Sequence, residues 1–271
     1  MKKILMMTSI IALATACTLK KTPETLVLYY SQGGTTKALA EQFQKLLGAD
    51  IEEIVPEAPY DGDFQSTIER CRKEMEENAV PLIKPLKADL ESYDIIFLGY
   101  PIWFGTYAPP IKALCGENAL KGRKIVPFCT FGSGGLESST QDLKVNMPDN
   151  EILPGYGIRA ARIDSAPEEV EYFLKAGGFI KGEYTAPEEF PAPHPVTDEE
   201  SAIFTAAVGD YPMLNAKPVE ASSRLVPKGK EYLFTALDTP REPTPESSFR
   251  EIKVHVLAEK GKAPVFTKVV R

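Results

Sequence analysis

Histidine and clustered positive charge are both scarce in this chain of 271 residues. The only histidines are His194 and His255. They are isolated in sequence, so the pattern indicates neither a zinc site nor a Ser-His-Asp triad. The net charge is −7 and no run of lysine and arginine occurs. Because neutralising phosphates requires clustered Lys and Arg, the sequence predicts no nucleic-acid partner. No spacing typical of Cys and His metal ligands occurs, so it also predicts no metal.

Long hydrophobic runs are also missing, and after residue 17 no apolar stretch is long enough to span a bilayer. Residues 1–17 differ, because Lys2 and Lys3 precede a short apolar stretch that ends in small residues and Cys17. This arrangement resembles a bacterial lipobox, in which the cysteine is acylated and becomes the new N-terminus. The alternative is an ordinary signal peptide with an incidental Cys17. We expect a lipoprotein signal peptide, lipidation at Cys17 and a tether at 18–24.

These features predict a location in the cell envelope. The protein would be exported, anchored at Cys17 and associated with the periplasm or the outer membrane, with the lipid as its only contact with the membrane. Three cysteines remain beyond the anchor, namely Cys71, Cys115 and Cys129. Their number is odd and no Cys-x-x-Cys spacing occurs, so we predict no required disulfide. Cys115 and Cys129 are expected in the core and Cys71 on a helix.

Short apolar runs alternate with amphipathic segments through most of the first two thirds of the chain. The predicted strands are 25–30, 51–55, 94–99, 124–129 and 156–161, and the predicted helices are 37–47, 66–78, 110–114, 136–145 and 168–175. Ser165 and Glu168 predict a capping box at the start of the last helix. Such alternation implies right-handed crossovers between parallel strands. The predicted fold class is therefore α/β, a doubly wound five-stranded parallel sheet, and the length of the unit suits the strand order 2-1-3-4-5.

Prolines crowd between residues 185 and 195 and indicate a stiff linker at 181–196. It would separate a domain at 25–180 from a second domain at 197–271. The second domain begins with a predicted helix at 197–208. Strand-like runs follow at 219–226, 231–237, 249–257 and 265–270, with period-two alternation clearest around Val254. One helix followed by an antiparallel meander predicts a small α+β domain.

Three loops would follow the carboxyl ends of parallel strands, where ligands bind in such sheets. They are Ser31, Gln32, Gly33, Gly34, Thr35 and Thr36; then Pro101, Ile102, Trp103, Phe104 and Gly105; then Thr130, Phe131, Gly132, Ser133, Gly134 and Gly135. The first loop offers hydroxyls and amides at a helix N-terminus, which suits an anion. The alternative is an ordinary connecting turn between a strand and a helix, with no role in binding. The loop is neither a Walker A loop nor Gly-x-Gly-x-x-Gly.

The second loop holds the only tryptophan of the chain, Trp103. It could be a flat surface for a planar ring or a hydrophobic plug, and its position at the end of a strand favours the ring. The glycines of the third loop would let the backbone approach a heterocycle, or would simply make the loop flexible. Tyr60, Asp61 and Asp63 lie in a further loop, which we interpret as a solvated turn rather than part of the site.

Together the three loops resemble those of the flavodoxin family, over residues 25–178. Ser31, Gly34 and Thr36 match its phosphate loop, roughly S/T-x-T-G-x-T, whereas Gly33 and Thr35 depart from the commonest residues. The second loop is similar to the P-I-W-x-G-T loop of bacterial flavodoxin-like proteins. The resemblance implies FMN as cofactor, with its phosphate held by the first loop, Trp103 at the isoalloxazine and the third loop at the pyrimidine edge. Many flavodoxins stack a tyrosine from the third loop, where this chain has Phe131.

The resemblance implies electron transfer, or reduction of a small acceptor such as a quinone, and a redox partner protein or small acceptor as partner. Enzyme and electron carrier stay open, since no catalytic acid or base is identified. The alternative is a cofactor-free envelope module that binds a protein partner through the C-terminal domain. That domain faintly resembles the cystatin fold around Val226–Gly229. Protease inhibition is the weakest reading, because Pro227 and Lys228 depart from the cystatin hairpin.

Overall fold

The structure is a computed structural model and describes residues 24–116, 120–209, 211–239 and 249–271. The signal peptide, Cys17 and all but the last residue of the tether lie outside the described residues. The first domain has strands β1 (Thr25–Tyr29), β2 (Asp50–Glu53), β3 (Ile95–Trp103), β4 (Thr106–Tyr107), β5 (Lys124–Phe131), β6 (Glu151–Ile152) and β7 (Tyr156–Arg159). Its helices are α1 (Thr35–Leu47), α2 (Phe64–Glu76), α3 (Lys112–Gly116), α4 (Leu136–Asn146) and α5 (Ala166–Ala176).

The main sheet is parallel with the order β2-β1-β3-β5-β6, which confirms the predicted doubly wound α/β class. Two strands share the fifth position of the sheet, since β6 pairs with the start of β5 and β7 pairs with its end. Pro127 in β5 and Pro154 between β6 and β7 both lack the amide N–H that a continuous ladder needs. Pairing therefore stops and resumes on either side of these prolines.

Alternate residues of the central strands face two separate apolar layers, as expected for a parallel sheet covered on both sides. In β1, Leu26 and Leu28 pack into one layer and Val27 into the other. Phe43 of α1 and Val170 of α5 are fully buried in the second layer. This packing fixes the strand ends, and with them the loops that follow.

Two local predictions were wrong. The third strand does not end at Gly99 but continues to Trp103 and turns into β4 through Phe104 and Gly105. Both turn residues have positive φ, +50° and +83°, as a two-residue hairpin turn of the primed type requires. Ser165 makes no capping hydrogen bond, because a 3-10 segment (Ala160–Ser165) runs directly into α5 and leaves Ser165 with helical backbone angles.

The second domain contains α6 (Asp198–Val208) and an antiparallel sheet of order β12-β11-β10-β9-β8. Its strands are β8 (His194–Pro195), β9 (Ala216–Val226), β10 (Gly229–Asp238), β11 (Arg250–Glu259) and β12 (Val265–Val270). Thr197 and Glu200 form a capping box at the start of α6. Phe204 of α6 packs edge-on against Phe234 of β10, with ring centroids 5.2 Å apart. None of the helices in the described ranges is long and apolar enough to cross a bilayer.

Candidate cofactor site

A cleft of about 200 Å³ opens at the carboxyl ends of β1, β3 and β5. It is lined by Ser31, Gln32, Gly33, Thr35, Thr36, Pro101, Ile102, Trp103, Thr130, Phe131, Gly132 and Ala160. The three loops singled out in the sequence therefore meet at one place. Six of their residues are not among those that line the cleft: Gly34, Phe104, Gly105, Ser133, Gly134 and Gly135. Ala160 was not predicted.

The first loop forms the N-terminal entry to α1. Gly34 is the N-cap, with φ of +84°, a conformation that glycine adopts without a steric cost. Its amide donates to Ser31 Oγ at 3.2 Å. The amides in the first turn of a helix have no partner within the helix, and the first turn of α1 carries no acidic residue. The loop therefore offers neutral N–H and O–H donors to an anion.

Two side chains connect this loop to the rest of the site. Thr36 Oγ1 and Thr130 Oγ1 are 2.8 Å apart and buried, so a hydrogen bond joins the first loop to the third. Gln32 Nε2 donates to the carbonyl of Tyr60 at 2.8 Å and to Thr67 Oγ1 at 3.1 Å. The first loop is thus hydrogen-bonded to neighbouring segments on both of its sides.

Trp103 is half-buried and is held edge-on by two tyrosines. Its ring centroid lies 5.9 Å from that of Tyr30 and 5.3 Å from that of Tyr60. The Arg70 guanidinium lies 3.7 Å from the Tyr60 centroid, and Tyr60 donates to Glu74 at 2.6 Å. Burial, and for Tyr60 the bond to Glu74, raises the pKa of both phenols, so both stay protonated at neutral pH. The indole therefore sits in a fixed, neutral aromatic cluster.

The prediction of a solvated turn at Tyr60, Asp61 and Asp63 was wrong for Tyr60. Tyr60 is only 5% exposed, because its ring packs under Trp103. Asp61 is exposed as expected. Asp63 is exposed too and caps α2, accepting from the Ser66 amide at 2.7 Å, and these hydrogen bonds from Ser66 lower the pKa of the carboxyl.

The third loop is packed against the second domain. A Cβ added at Gly132 would lie 2.6 Å from Tyr211 Oη, and one added at Gly134 would overlap the Val269 carbonyl oxygen. The Val269 amide donates to the Ser133 carbonyl at 2.6 Å. The second domain therefore occupies the space beside both glycines, where the sequence had suggested a heterocycle; Gly132 also lines the cleft, whereas Gly134 does not. Phe131 is 4% exposed and its ring packs toward Gly157, so it offers no free face for stacking.

Arg159, at the end of β7, links the third loop to β12. Its Nε donates to the Gly132 carbonyl at 2.8 Å and its Nη1 to the Phe266 carbonyl at 3.1 Å. Burial, together with nearby Arg162, lowers the pKa of Arg159 from its very high ordinary value. Arg271 Nη1 reaches Ser133 Oγ at 3.3 Å. Arg159 could not be found from sequence, since only tertiary packing brings it to the loop.

A sequence profile of the flavodoxin family matches residues 24–169, and the chain belongs to the flavodoxin family. A protein from Bacteroides eggerthii, provisionally named a flavoprotein, is 30% identical over 55% of this chain and 98% of its own, with a TM-score of 0.47. A flavoprotein from Lactobacillus acidophilus, solved in complex with FMN, is 26% identical over 53% of this chain and 97% of its own, with a TM-score of 0.45. No curated protein matches the chain.

The family match ends at residue 169. The resemblance of the second domain to the cystatin fold therefore stays a prediction.

Proposed function

We propose that the cleft binds FMN and that the protein is an envelope flavoprotein that transfers electrons or reduces a quinone-type acceptor. The observation that carries this proposal is the meeting of the three loops around one cleft in a chain of the flavodoxin family. The amides and hydroxyls of residues 31–36 would hold the phosphate, Trp103 would contact the ring system, and Thr130 to Gly132 would face its pyrimidine edge.

The donor set fits this cofactor. Among the described residues, those that line the cleft carry no charge, so no carboxylate repels a phosphate dianion there. Neutral amides at the start of α1 favour an anion through the helix dipole. Bound FMN would supply the redox chemistry, while the chain binds it, orients it and sets its local polarity. Among the described residues that line the cleft none is acidic or basic, so the cleft lining itself offers no general acid or base.

The proposed location in the cell envelope rests on the N-terminal sequence alone. Diacylation at Cys17 would supply the two lipid signals that stable anchoring needs. Replacing it, Cys17→Ala, should release the protein from the membrane fraction and abolish labelling by radioactive palmitate. A variant that remains acylated or membrane-bound would contradict the lipoprotein proposal.

The first test is to produce residues 18–271 and to record the visible absorbance, with the released cofactor identified by mass. We expect a yellow protein that releases one FMN per chain. A folded, colourless protein that takes up no added FMN would contradict the proposal. It would instead support a cofactor-free binding module that acts through the second domain.

A further inference from the structure

A second cavity lies between the two domains, and its volume is about 620 Å³. One wall is formed by β7 and α5, including Tyr156, Tyr172 and Phe173. The opposite wall comes from the second sheet, including Val226 and Leu257. Cavities of 300 to 1,000 Å³ with mainly apolar and aromatic walls are typical of small-molecule sites. We call this cavity the interdomain cleft.

Charged side chains also reach the interdomain cleft, but each has an oppositely charged partner. The pairs within its walls are Arg162 with Glu169, Arg224 with Glu231 at 2.7 Å, and Lys228 with Glu168 at 2.5 Å. Lys268 likewise pairs with Glu137 at 2.7 Å. At the two more buried pairs, Arg162 with Glu169 and Arg224 with Glu231, a charged ligand would have to displace a partner or enter an apolar space without one, and both are costly.

Glu169 illustrates how fully these groups are satisfied. It accepts a hydrogen bond from Tyr156 Oη at 3.0 Å in addition to the ion pair with Arg162. Glu231 accepts from Arg224 Nε at 2.8 Å and faces His255 Nδ1 at 3.2 Å. A peptide would bring backbone amides and carbonyls that these occupied groups could not satisfy. The walls therefore suit a ligand with few polar atoms.

We propose that the interdomain cleft is a second binding site, for an uncharged and largely apolar ring compound. Its aromatic walls provide contact area, and its paired charges reject ionic ligands. Phe131 lines both this cleft and the cofactor cleft, so a compound bound here lies across a single residue from the other site. Binding itself does not require FMN. A role for the compound as electron acceptor would rest on the proposed flavin function.

The test uses a matched pair of probes that differ in charge, 2-(hydroxymethyl)anthraquinone and anthraquinone-2-sulfonate. Each is titrated calorimetrically into residues 18–271, prepared both with and without added FMN. We expect saturable binding of the uncharged probe in both preparations. The sulfonate should bind at least tenfold more weakly. Equal affinity for the two probes, or no binding of the uncharged one, would overturn the proposal.

Substitutions on the two walls test whether the uncharged probe binds in the interdomain cleft. Ala176→Trp on the first wall and Pro227→Trp on the second each place a large ring inside the cleft. Either should weaken the uncharged probe at least tenfold, while Ala202→Trp, on an exposed position of α6, should leave it unchanged. Because the two variants lie on opposite walls, the test still holds if one of them misfolds. Thermal unfolding would reveal such misfolding. Unchanged affinity in a folded Ala176→Trp or Pro227→Trp protein would overturn the proposal.

The outcome is separable from that of the flavin proposal. A colourless protein that still binds the uncharged probe in the cleft would contradict FMN binding alone. A yellow protein that fails to bind the probe would contradict only the interdomain site.

Discussion

The guanidinium carbon of Arg159 lies 3.4 Å from the centroid of the Phe266 ring, so a cation of the first domain rests on an aromatic ring of the second. The same guanidinium donates to the Gly132 carbonyl, in the wall of the cofactor cleft. Arg159 therefore couples the docking of the second domain to the position of the third loop. A partly desolvated cation–π contact of this kind contributes up to about 2 kcal/mol.

Arg159→Gln should weaken both domain docking and FMN binding. Loss of the charged hydrogen bonds and of the aromatic contact is expected to lower the free energy of unfolding by about 2 kcal/mol. FMN affinity should fall about tenfold, because the Gly132 carbonyl loses its anchor; tenfold corresponds to about 1.4 kcal/mol. Thermal unfolding and titration of FMN fluorescence measure the two effects.

Arg250→Gln serves as the control, since Arg250 is an exposed arginine on β11. Surface substitutions of this kind usually change stability by less than about 0.5 kcal/mol. If Arg159→Gln behaves like the control in both measurements, the coupling inferred from the Arg159–Phe266 contact is wrong.

Gly134→Ala tests the close approach of β12. The added methyl group would overlap the Val269 carbonyl oxygen, a backbone atom that cannot move alone, so β12 and the third loop must separate. We expect a loss of about 1 to 3 kcal/mol in the free energy of unfolding. Gly33→Ala is the matched control, because a Cβ there meets nothing within 4 Å. Denaturant unfolding that gave equal midpoints for both variants would contradict this packing.

The first domain could be predicted closely because its signals are local. The alternation of apolar runs and amphipathic segments predicted the strands and helices, and the confirmed strand order is the one expected for a parallel α/β unit of this length. The convergence of the loops at Thr36, Trp103 and Thr130 followed from the predicted position of each loop after a strand, although β3 and β5 themselves extend through Trp103 and Thr130. What the sequence could not give was long-range packing. Tyr60 beneath Trp103 and Val269 beside Gly134 depend on contacts between distant segments, which no local pattern encodes.

Trp103 provides an intrinsic probe, because the only tryptophan of the chain lines the cofactor cleft. Adding FMN to the apoprotein should quench its fluorescence in a saturable manner. Trp103→Ala should weaken FMN binding about fivefold to tenfold, since aromatic pairs contribute roughly 0.5 to 1.5 kcal/mol beyond area burial. Flavin fluorescence measures the affinity of the variant, which has no tryptophan of its own.

Phe104→Ala is the control for Trp103. Phe104 is 51% exposed at the tip of the hairpin and does not line the cleft, so FMN affinity should stay within about twofold. A larger loss in Phe104→Ala than in Trp103→Ala would show that the hairpin, rather than the indole, carries the contact with the ring system.

Glu231 should make the stability of the second domain sensitive to acid. Burial alone would raise its pKa, but hydrogen bonds from His255 and Arg224 outweigh burial and hold the pKa below its ordinary value. A depressed carboxyl pKa stabilises the folded state fully above the unfolded value of about 4.3, and this contribution is lost as pH falls through the folded pKa. Glu231→Gln should therefore cost about 2 kcal/mol at pH 5. The difference from the parent chain should shrink steadily below about pH 4.3, as the parent carboxylate becomes protonated.

Denaturant unfolding at a series of pH values between about 5 and 2.5 measures this difference, and Glu251→Gln provides the control. Glu251 forms an exposed ion pair with Lys253, at 3.5 Å, and such pairs contribute little. Its replacement should leave the pH dependence of the parent chain intact. A Glu231→Gln protein whose deficit stayed constant down to the lowest pH would show that the carboxylate is not the group that titrates. The network around Arg224 would then owe its stability to packing rather than to charge.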